Sequence, residues 1–246
     1  MISFNDLNDR QKEAVVDDAS YLRIIAGAGS GKTRVLTMRI AYLILEKHIL
    51  PKHILAITFT NKAANEMKSR INEMLKDQGA GTFISTIHSL CVRILVEDIN
   101  SLNYPRNFTI CDTNDQHQIL KEAYKEIGID KSTISYSAML NYIGANKTND
   151  ISVSKARELA YLDEYELKKA KVYDYYQKRL EQLFALDFDD LILFTLRIFK
   201  QFPNIKEKWA KRFEYVLVDE FQDVDNKQYE LIKYLTSAHK HLYVVG

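Results

Sequence analysis

Three of the chain's eight glycines fall within five residues, in Ala26-Gly27-Ala28-Gly29-Ser30-Gly31-Lys32-Thr33. The residues ahead of it, Tyr21–Ala26, read as a strand, and Thr33–Lys47 behind it has helical periodicity. A strand that turns through glycines straight into a helix has few structural solutions. Glycines let consecutive backbone N–H groups point inward, and the helix adds the positive end of its dipole. Such a loop suits an anion, and a lysine followed by a hydroxyl specifies nucleotide phosphates with magnesium. On this reading Ala26, Gly27, Ala28, Gly29, Ser30 and Gly31 cradle phosphate. Lys32 reaches the outer phosphates and Thr33 holds Mg2+. The strict pattern asks for glycine where Ala26 stands.

A second feature lies far downstream. The apolar run Tyr215–Val218 stops at Asp219-Glu220-Phe221-Gln222-Asp223. Carboxylates at the tip of a buried strand are costly unless a cation or polar group meets them. With the glycine loop present, Asp219 reads as a magnesium ligand acting through water and Glu220 as the group that polarises an attacking water. Taken alone, the pentapeptide also reads as an exposed acidic turn after an edge strand.

Composition narrows the classes. At 246 residues, 46% hydrophobic and 27% charged, the chain reads as a soluble globular protein. A formal net charge of +1 argues against a tail-mediated nucleic-acid binder and leaves room for a locally lined groove. Cys91 and Cys111 form no C-x-x-C pair, which argues against a disulfide framework or zinc site and fits a cytoplasmic location. Met1–Asp6 shows no signal-peptide pattern. The most apolar helical stretch, Val35–Leu45, is interrupted by Arg39 and too short to cross a bilayer, so no membrane partner is expected.

Further strands are expected at Ile54–Phe59, Thr82–Ser85, Tyr215–Val218 and Leu242–Val245, with helices at Asn61–Lys76 and Lys227–Thr236. Ala63, Ala64, Met67, Ile71, Met74 and Leu75 share one face of the first helix, and Thr60 or Asn61 caps it. From about Asn107 to Lys208 strand signals vanish. There, Thr113-x-x-Gln116 resembles a capping box, Gly128 a C-terminal cap, Asp163 a helix start and Asp187 the cap of Phe188–Phe202. The expected fold is α/β, a P-loop domain with a parallel sheet built from 1–110 and 205–246. An all-α inserted domain at 111–204 interrupts it.

Together, Ala26–Thr33 and Asp219–Asp223 resemble the paired nucleotide motifs of superfamily 1 helicases of the UvrD/Rep/PcrA type, whose motor domains are RecA-like. Leu7–Val15 resembles that family's adenine-reading segment, with its glutamine at Gln11. A glutamine amide both donates and accepts, which matches the adenine edge. Without the resemblance, Gln11 reads as a solvated residue on a short amphipathic helix. Arg34 falls at a family position near the nucleotide, and Gln222 at the position that couples hydrolysis to DNA contact. Thr58-Phe59-Thr60-Asn61-Lys62-Ala63-Ala64 is similar to the first strand-binding motif, which gives Phe59 a stacking role and Thr60 a phosphate. The residues alone read as a core phenylalanine and an N-cap. Ser85-Thr86-Ile87-His88-Ser89-Leu90 resembles the next motif, with Ile87 where the family usually has an aromatic, leaving Thr86 and His88 as polar DNA contacts. Ile143–Asn149 resembles a segment near the duplex in such enzymes, where Lys147 could meet a phosphate, but as a residue it reads first as a solvated lysine.

The resemblance implies an ATP- and Mg2+-dependent helicase that moves 3′ to 5′ on single-stranded DNA, meets duplex junctions and works with repair or replication proteins. It also implies a second RecA-like domain in cis carrying an arginine finger. The apolar strand that closes the chain at Gly246 then reads as a cut polypeptide, binding nucleotide weakly with little turnover. Two other readings stay open: the helicase part of a helicase–nuclease, and a non-motor DNA-binding module regulated by ATP. A small-molecule P-loop kinase would leave 58–64 and 85–90 as coincidence.

Overall fold

The computed structural model describes residues 7–27 and 29–246. Met1–Asp6 and Ala28, the latter with its expected place in the glycine loop, lie outside the described residues. The chain runs through α1 (Asp9–Val16), β1 (Tyr21–Ile24), α2 (Lys32–Leu45), β2 (Ile54–Thr58), α3 (Asn61–Leu75), β3 (Phe83–Thr86) and α4 (Ile87–Asp98). It continues through β4 (Thr109–Ile110), α5 (Thr113–Ile127), α6 (Tyr136–Thr148), α7 (Val153–Leu159), α8 (Glu164–Gln182) and β5 (Ala185–Leu186). Next come α9 (Phe188–Gln201), α10 (Pro203–Arg212), β6 (Tyr215–Val218), α11 (Asn226–Leu235) and β7 (His241–Val245). Two compact units result, one from the segments up to Arg93 and from Leu196 onward, the other from Ile94–Thr195.

The first unit is mixed α/β around a five-stranded sheet of order β1-β7-β6-β2-β3. Every pairing in it is parallel, with Ala56 opposite Leu217 on one side and Ile84 on the other. Parallel sheets are covered on both faces, and all five residues of β2 are buried accordingly. Leu36, Ile40 and Leu43 of α2 share one core with Met67 and Ile71 of α3, Ile54 and Ala56 of β2, Leu217 of β6 and Val245 of β7.

Local departures from expectation have local causes. β1 and β2 stop short of the expected Ala26 and Phe59 because the chain must leave the sheet to turn. Ile25 is already exposed, and Thr60 takes extended backbone angles to cap α3. Met74 lies off the buried face of α3, which Ala64, Met67, Ile71 and Leu75 form. Arg39, the charge within the apolar α2, is buried with its Nη1 donating to the Val15 carbonyl at 2.6 Å. The Tyr42 and Tyr243 rings flank its guanidinium at 5.5 and 5.6 Å. Among the described residues no helix is long and apolar enough to cross a membrane.

The second unit is chiefly helical, with Leu120 and Ala123 of α5, Met139 and Ile143 of α6, and Tyr173, Tyr176 and Leu180 of α8 in one core. It is not all-α. β4 and β5 pair in parallel, Thr109 with Ala185 and Ile110 with Leu186. Strands of two residues are too short to show alternation in sequence. Helix α5 is capped by Asp112 in a reciprocal box with Asp115, one residue before the expected Thr113/Gln116 box. Asp163 caps α8, and Gly128 closes α5 at a φ of 77°.

Lys147 is neither solvated nor presented outward. Its Nζ donates to Asp187 Oδ2 at 2.6 Å and to Asp190 Oδ1 at 2.9 Å, and the residue is 5% exposed. Asp187 also caps α9, accepting from the Asp190 amide at 2.9 Å.

Candidate nucleotide and strand site

Because the sheet is parallel, β1, β2, β3 and β6 all deliver their carboxyl ends to one edge, where ligands of open α/β sheets collect. The glycine loop leaves β1 there. Gly29 and Gly31 have φ of 72° and 85°, angles that disfavour a side chain. Ala26 has no positive φ, so a methyl group at the expected glycine position meets no backbone objection, and its amide donates to the Gly246 carbonyl at 3.3 Å. Gly31 is the N-cap of the 14-residue α2 and offers no side-chain cap, which leaves the first-turn N–H groups for a ligand.

Gln11 is tied to this loop. Its Nε2 donates to the Ser30 carbonyl at 3.0 Å, while its Oε1 accepts from the Asn8 amide at 2.9 Å in a capping box that opens α1. One amide hydrogen and one lone pair remain for a ligand. The solvated-helix reading of Gln11 therefore gives way to a residue fastened beside the loop. Arg34 lies exposed on the first turn of α2.

Lys32 and Thr33, the first residues of α2, meet the acidic tip of β6. Lys32 Nζ donates to Glu220 Oε2 at 3.0 Å, and Thr33 Oγ1 donates to Asp219 Oδ2 at 2.9 Å. Asp219 is buried, and burial pushes its carboxyl above the usual range, helped by the Glu220 charge and opposed by the Thr33 hydrogen bond. Glu220 is held below its range, first by the hydrogen bond from Gln222 Nε2 at 2.7 Å and then by that from Lys32. Gln222 Nε2 also reaches Asp223 Oδ2 at 3.3 Å. The Glu220 backbone lies in the left-handed region at φ 49°, which costs about 1–2 kcal/mol for a side-chain-bearing residue. Strain at the tip of β6 aims the carboxylate at Lys32.

The oxygens of Thr33 and Asp219 suit magnesium, a hard cation that takes one or two protein oxygens and completes its shell with water and phosphate. Among the described residues no cluster of three or more acidic, histidine or cysteine side chains offers a richer metal site.

Beside Asp219 lies a cleft of about 140 Å³ lined by Phe59, Ile87, His88, Val224 and Gln228. Phe59 is 57% exposed, so it is not strand-end core. Thr60 is the N-cap of α3, accepting from the Ala63 amide at 3.1 Å, and Asn61 and Lys62 are exposed on the turn it starts. His88 is half-buried. Thr86, expected as a polar DNA contact, is turned inward here. It is buried, and its Oγ1 accepts from the Ser89 amide at 3.2 Å and shares a 2.9 Å bond with the Ser89 hydroxyl. Thr58 is likewise buried, donating to the Thr60 carbonyl at 3.1 Å. Thr58 ends the central β2 and Thr86 the edge strand β3, and at both the hydroxyl is used to finish the turn. Val224 and Gln228 were not foreseen. Asp225 accepts from the Gln228 amide at 2.8 Å, and that N-cap is the one local signal that sets the start of α11 beside the cleft.

Residues 7–246 match the family model described as the UvrD/REP helicase N-terminal domain. The chain belongs to this family. It is 44% identical over 242 residues to the ATP-dependent DNA helicase PcrA of Staphylococcus aureus (strain Mu50 / ATCC 700699), covering 98% of this chain and 33% of that protein. The namesake of Staphylococcus epidermidis (strain ATCC 12228 / FDA PCI 1200) is 43% identical over 241 residues, with the same coverage. The chain thus spans about a third of the length of these curated relatives. Membership in the UvrD/REP family accords with the parallel α/β sheet and with the loop and acidic tip that meet at its edge.

Proposed function

We propose that this chain is the ATP- and strand-binding part of an ATP-driven DNA helicase that tracks 3′ to 5′ on single-stranded DNA and opens duplex at junctions. The observation that carries the reading is a shared wall. Asp219 both pairs with Thr33 at the nucleotide loop and lines the cleft rimmed by Phe59 and His88. A change at the phosphates is thereby one side chain away from the strand.

In this reading the loop amides and Lys32 bind and orient the β- and γ-phosphates, and Gln11 reads the adenine edge. Thr33 and Asp219 hold Mg2+, which supplies charge neutralisation at the phosphate oxygens when bound. Glu220 holds the attacking water and takes its proton. Phosphate competes with Glu220 for Lys32, so nucleotide binding frees the carboxylate for that work. Gln222, bonded to Glu220, links it to the strand side, where Phe59 stacks on a base and Thr60, Asn61, Lys62 and His88 meet the backbone. The helical unit at Ile94–Thr195 serves as the accessory domain of the motor. A second RecA-like domain, which the family resemblance implies, supplies the opposing wall of the nucleotide site. These residues alone are therefore expected to bind nucleotide weakly and turn it over little.

The test is the ATPase rate of the full-length protein with and without single-stranded DNA, in wild type and Glu220→Gln. Strong DNA stimulation is expected, with a loss of about a hundredfold or more in the variant while nucleotide affinity holds. A rate indifferent to DNA would overturn the motor. DNA binding and regulation intact in Glu220→Gln would favour the ATP-regulated module instead.

A further inference from the structure

Helix α1 carries Gln11 but is held in place from outside itself. Its eight residues are too few for a helix to persist alone in water, and Val15 is the buried residue within it. Its last turn has no basic side chain to meet the carbonyls that a helix end leaves without partners. Two residues from later in the chain meet them instead. Arg39 Nη1 of α2 donates to the Val15 carbonyl at 2.6 Å, and the Tyr243 hydroxyl of β7 donates to the Ala14 carbonyl at 3.0 Å. The two donors are 4% and 5% exposed, so a bond lost there is not made good by solvent. Arg39 also sets a positive charge at the negative end of the helix dipole, and the Tyr243 ring lies 5.6 Å from its guanidinium, joining both donors into one clamp.

The clamp acts one helical turn from Gln11. Ala14 follows Gln11 by about 4.5 Å along the axis of α1. At the other end of that turn the Gln11 side chain is bonded to the Asn8 amide and the Ser30 carbonyl. The Ser30 bond is exposed, so water competes for it and it fixes the helix weakly. The buried clamp is the firmer tie. Arg39 stands two turns after Lys32 on α2, about 10 Å along the axis. One helix therefore carries the lysine of the phosphate loop at its start and half of the clamp two turns later. Through it, the span from the Gln11 amide to the loop is set by buried bonds.

We infer that Arg39 and Tyr243 are positioning residues for nucleobase selectivity, holding the Gln11 amide at a fixed span from the phosphate loop by clamping the carboxyl end of α1. A ligand that offers adenine and phosphates together fits that span, whereas phosphate alone needs only the loop. Both residues act through Gln11, and the inference rests on the adenine-reading role proposed for it above. A purely structural role predicts something different. Loosening the core would weaken every ligand of the loop alike, while loosening α1 weakens the one whose base Gln11 meets.

The experiment titrates the full-length protein calorimetrically with ATP, GTP and inorganic tripolyphosphate, each with Mg2+, in wild type, Gln11→Ala, Tyr243→Phe and Arg39→Lys. Tyr243→Phe removes one hydroxyl and keeps the ring, so the fold is expected to survive it. ATP affinity should fall about three- to tenfold in this variant, narrowing the preference for ATP over GTP, while tripolyphosphate affinity holds. Arg39→Lys keeps the charge but withdraws the guanidinium, and should narrow the preference at least as far. An equal loss for ATP and tripolyphosphate would overturn the inference in favour of a structural role. An unchanged preference in either variant, with Gln11→Ala discriminating less, would overturn it and leave the adenine reading standing. Full discrimination in Gln11→Ala would overturn that reading and the inference with it.

Discussion

Lys32 and Glu220 neutralise each other at 3.0 Å, and in the proposed mechanism each has a second task once nucleotide arrives. The pairing keeps a lysine amid unsatisfied helix-end N–H groups from standing uncompensated, and on the proposed reading it holds a strained carboxylate away from water chemistry until phosphate displaces it. The loop that presents Lys32 tolerates little change. At Gly31 a Cβ would sit 3.2 Å from Gln11 Nε2, on a backbone already at φ 85°. Gly31→Ala is expected to cost about 1–2 kcal/mol and to weaken nucleotide binding by displacing Gln11 or Lys32. Thermal denaturation and calorimetric titration with ATP check this. Unchanged values in both would show that the loop relaxes around a methyl group.

At the scale of elements, the Lys147 site ties four helices of the second unit together. Lys147 ends α6, Asp187 and Asp190 begin α9, Tyr176 of α8 donates to Asp187 at 2.9 Å, and Gln116 of α5 donates to Tyr176 at 2.9 Å. Lys147→Met leaves two carboxylates buried without their cation and is expected to cost about 3–5 kcal/mol in chemical denaturation. A loss under 1 kcal/mol would mean that the carboxylates find other partners. Two carboxylates and one ammonium also leave an excess negative charge. Burial, with the charge of Asp187, pushes Asp190 up to about 7. Asp187 meets the same burial, but Lys147, the Asp190 amide and Tyr176 outweigh it and hold Asp187 low. The folded unit thus keeps a proton on Asp190 that the unfolded chain releases near pH 4. This contribution to stability is full below about pH 4 and fades as pH rises to about 7, above which it is gone. Asp190→Asn is expected to flatten the dependence of melting temperature on pH between 5 and 8, and an unaltered slope would place the proton elsewhere.

For the whole molecule, the decisive fact is the strand order β1-β7-β6-β2-β3. Among the described residues the loop-bearing β1 pairs with β7 alone, and β6 and β7 stand between it and β2. Both inner strands come after the helical unit in sequence, so the site forms only when segments far apart in the chain pair. A chain ending at Arg212 keeps the loop, Phe59 and His88 but lacks β6 and β7. It is expected to lose ATP binding and the cooperative melting of the α/β unit, measured by equilibrium dialysis and circular dichroism. Retained binding would show that β1 and the loop hold their shape without the sheet.

Sequence alone determined the features whose causes are local. The glycines before Lys32, the acidic tip after β6, the caps at Thr60, Asp163 and Gly128, and the alternation of strand and helix all follow from interactions within a turn or two. The motifs carry the family resemblance for the same reason. Tertiary structure decided what depends on neighbours far along the chain. It turned Thr58 and Thr86 inward, left Phe59 in the open, and took Lys147 from solvent into a carboxylate pair. It also paired two-residue strands too short to be read, and set Arg39 and Tyr243 against the end of α1, where no motif points. Burial and charge pairing are properties of a place in space, and a one-dimensional pattern records a residue's place only where its partners lie close by in the chain.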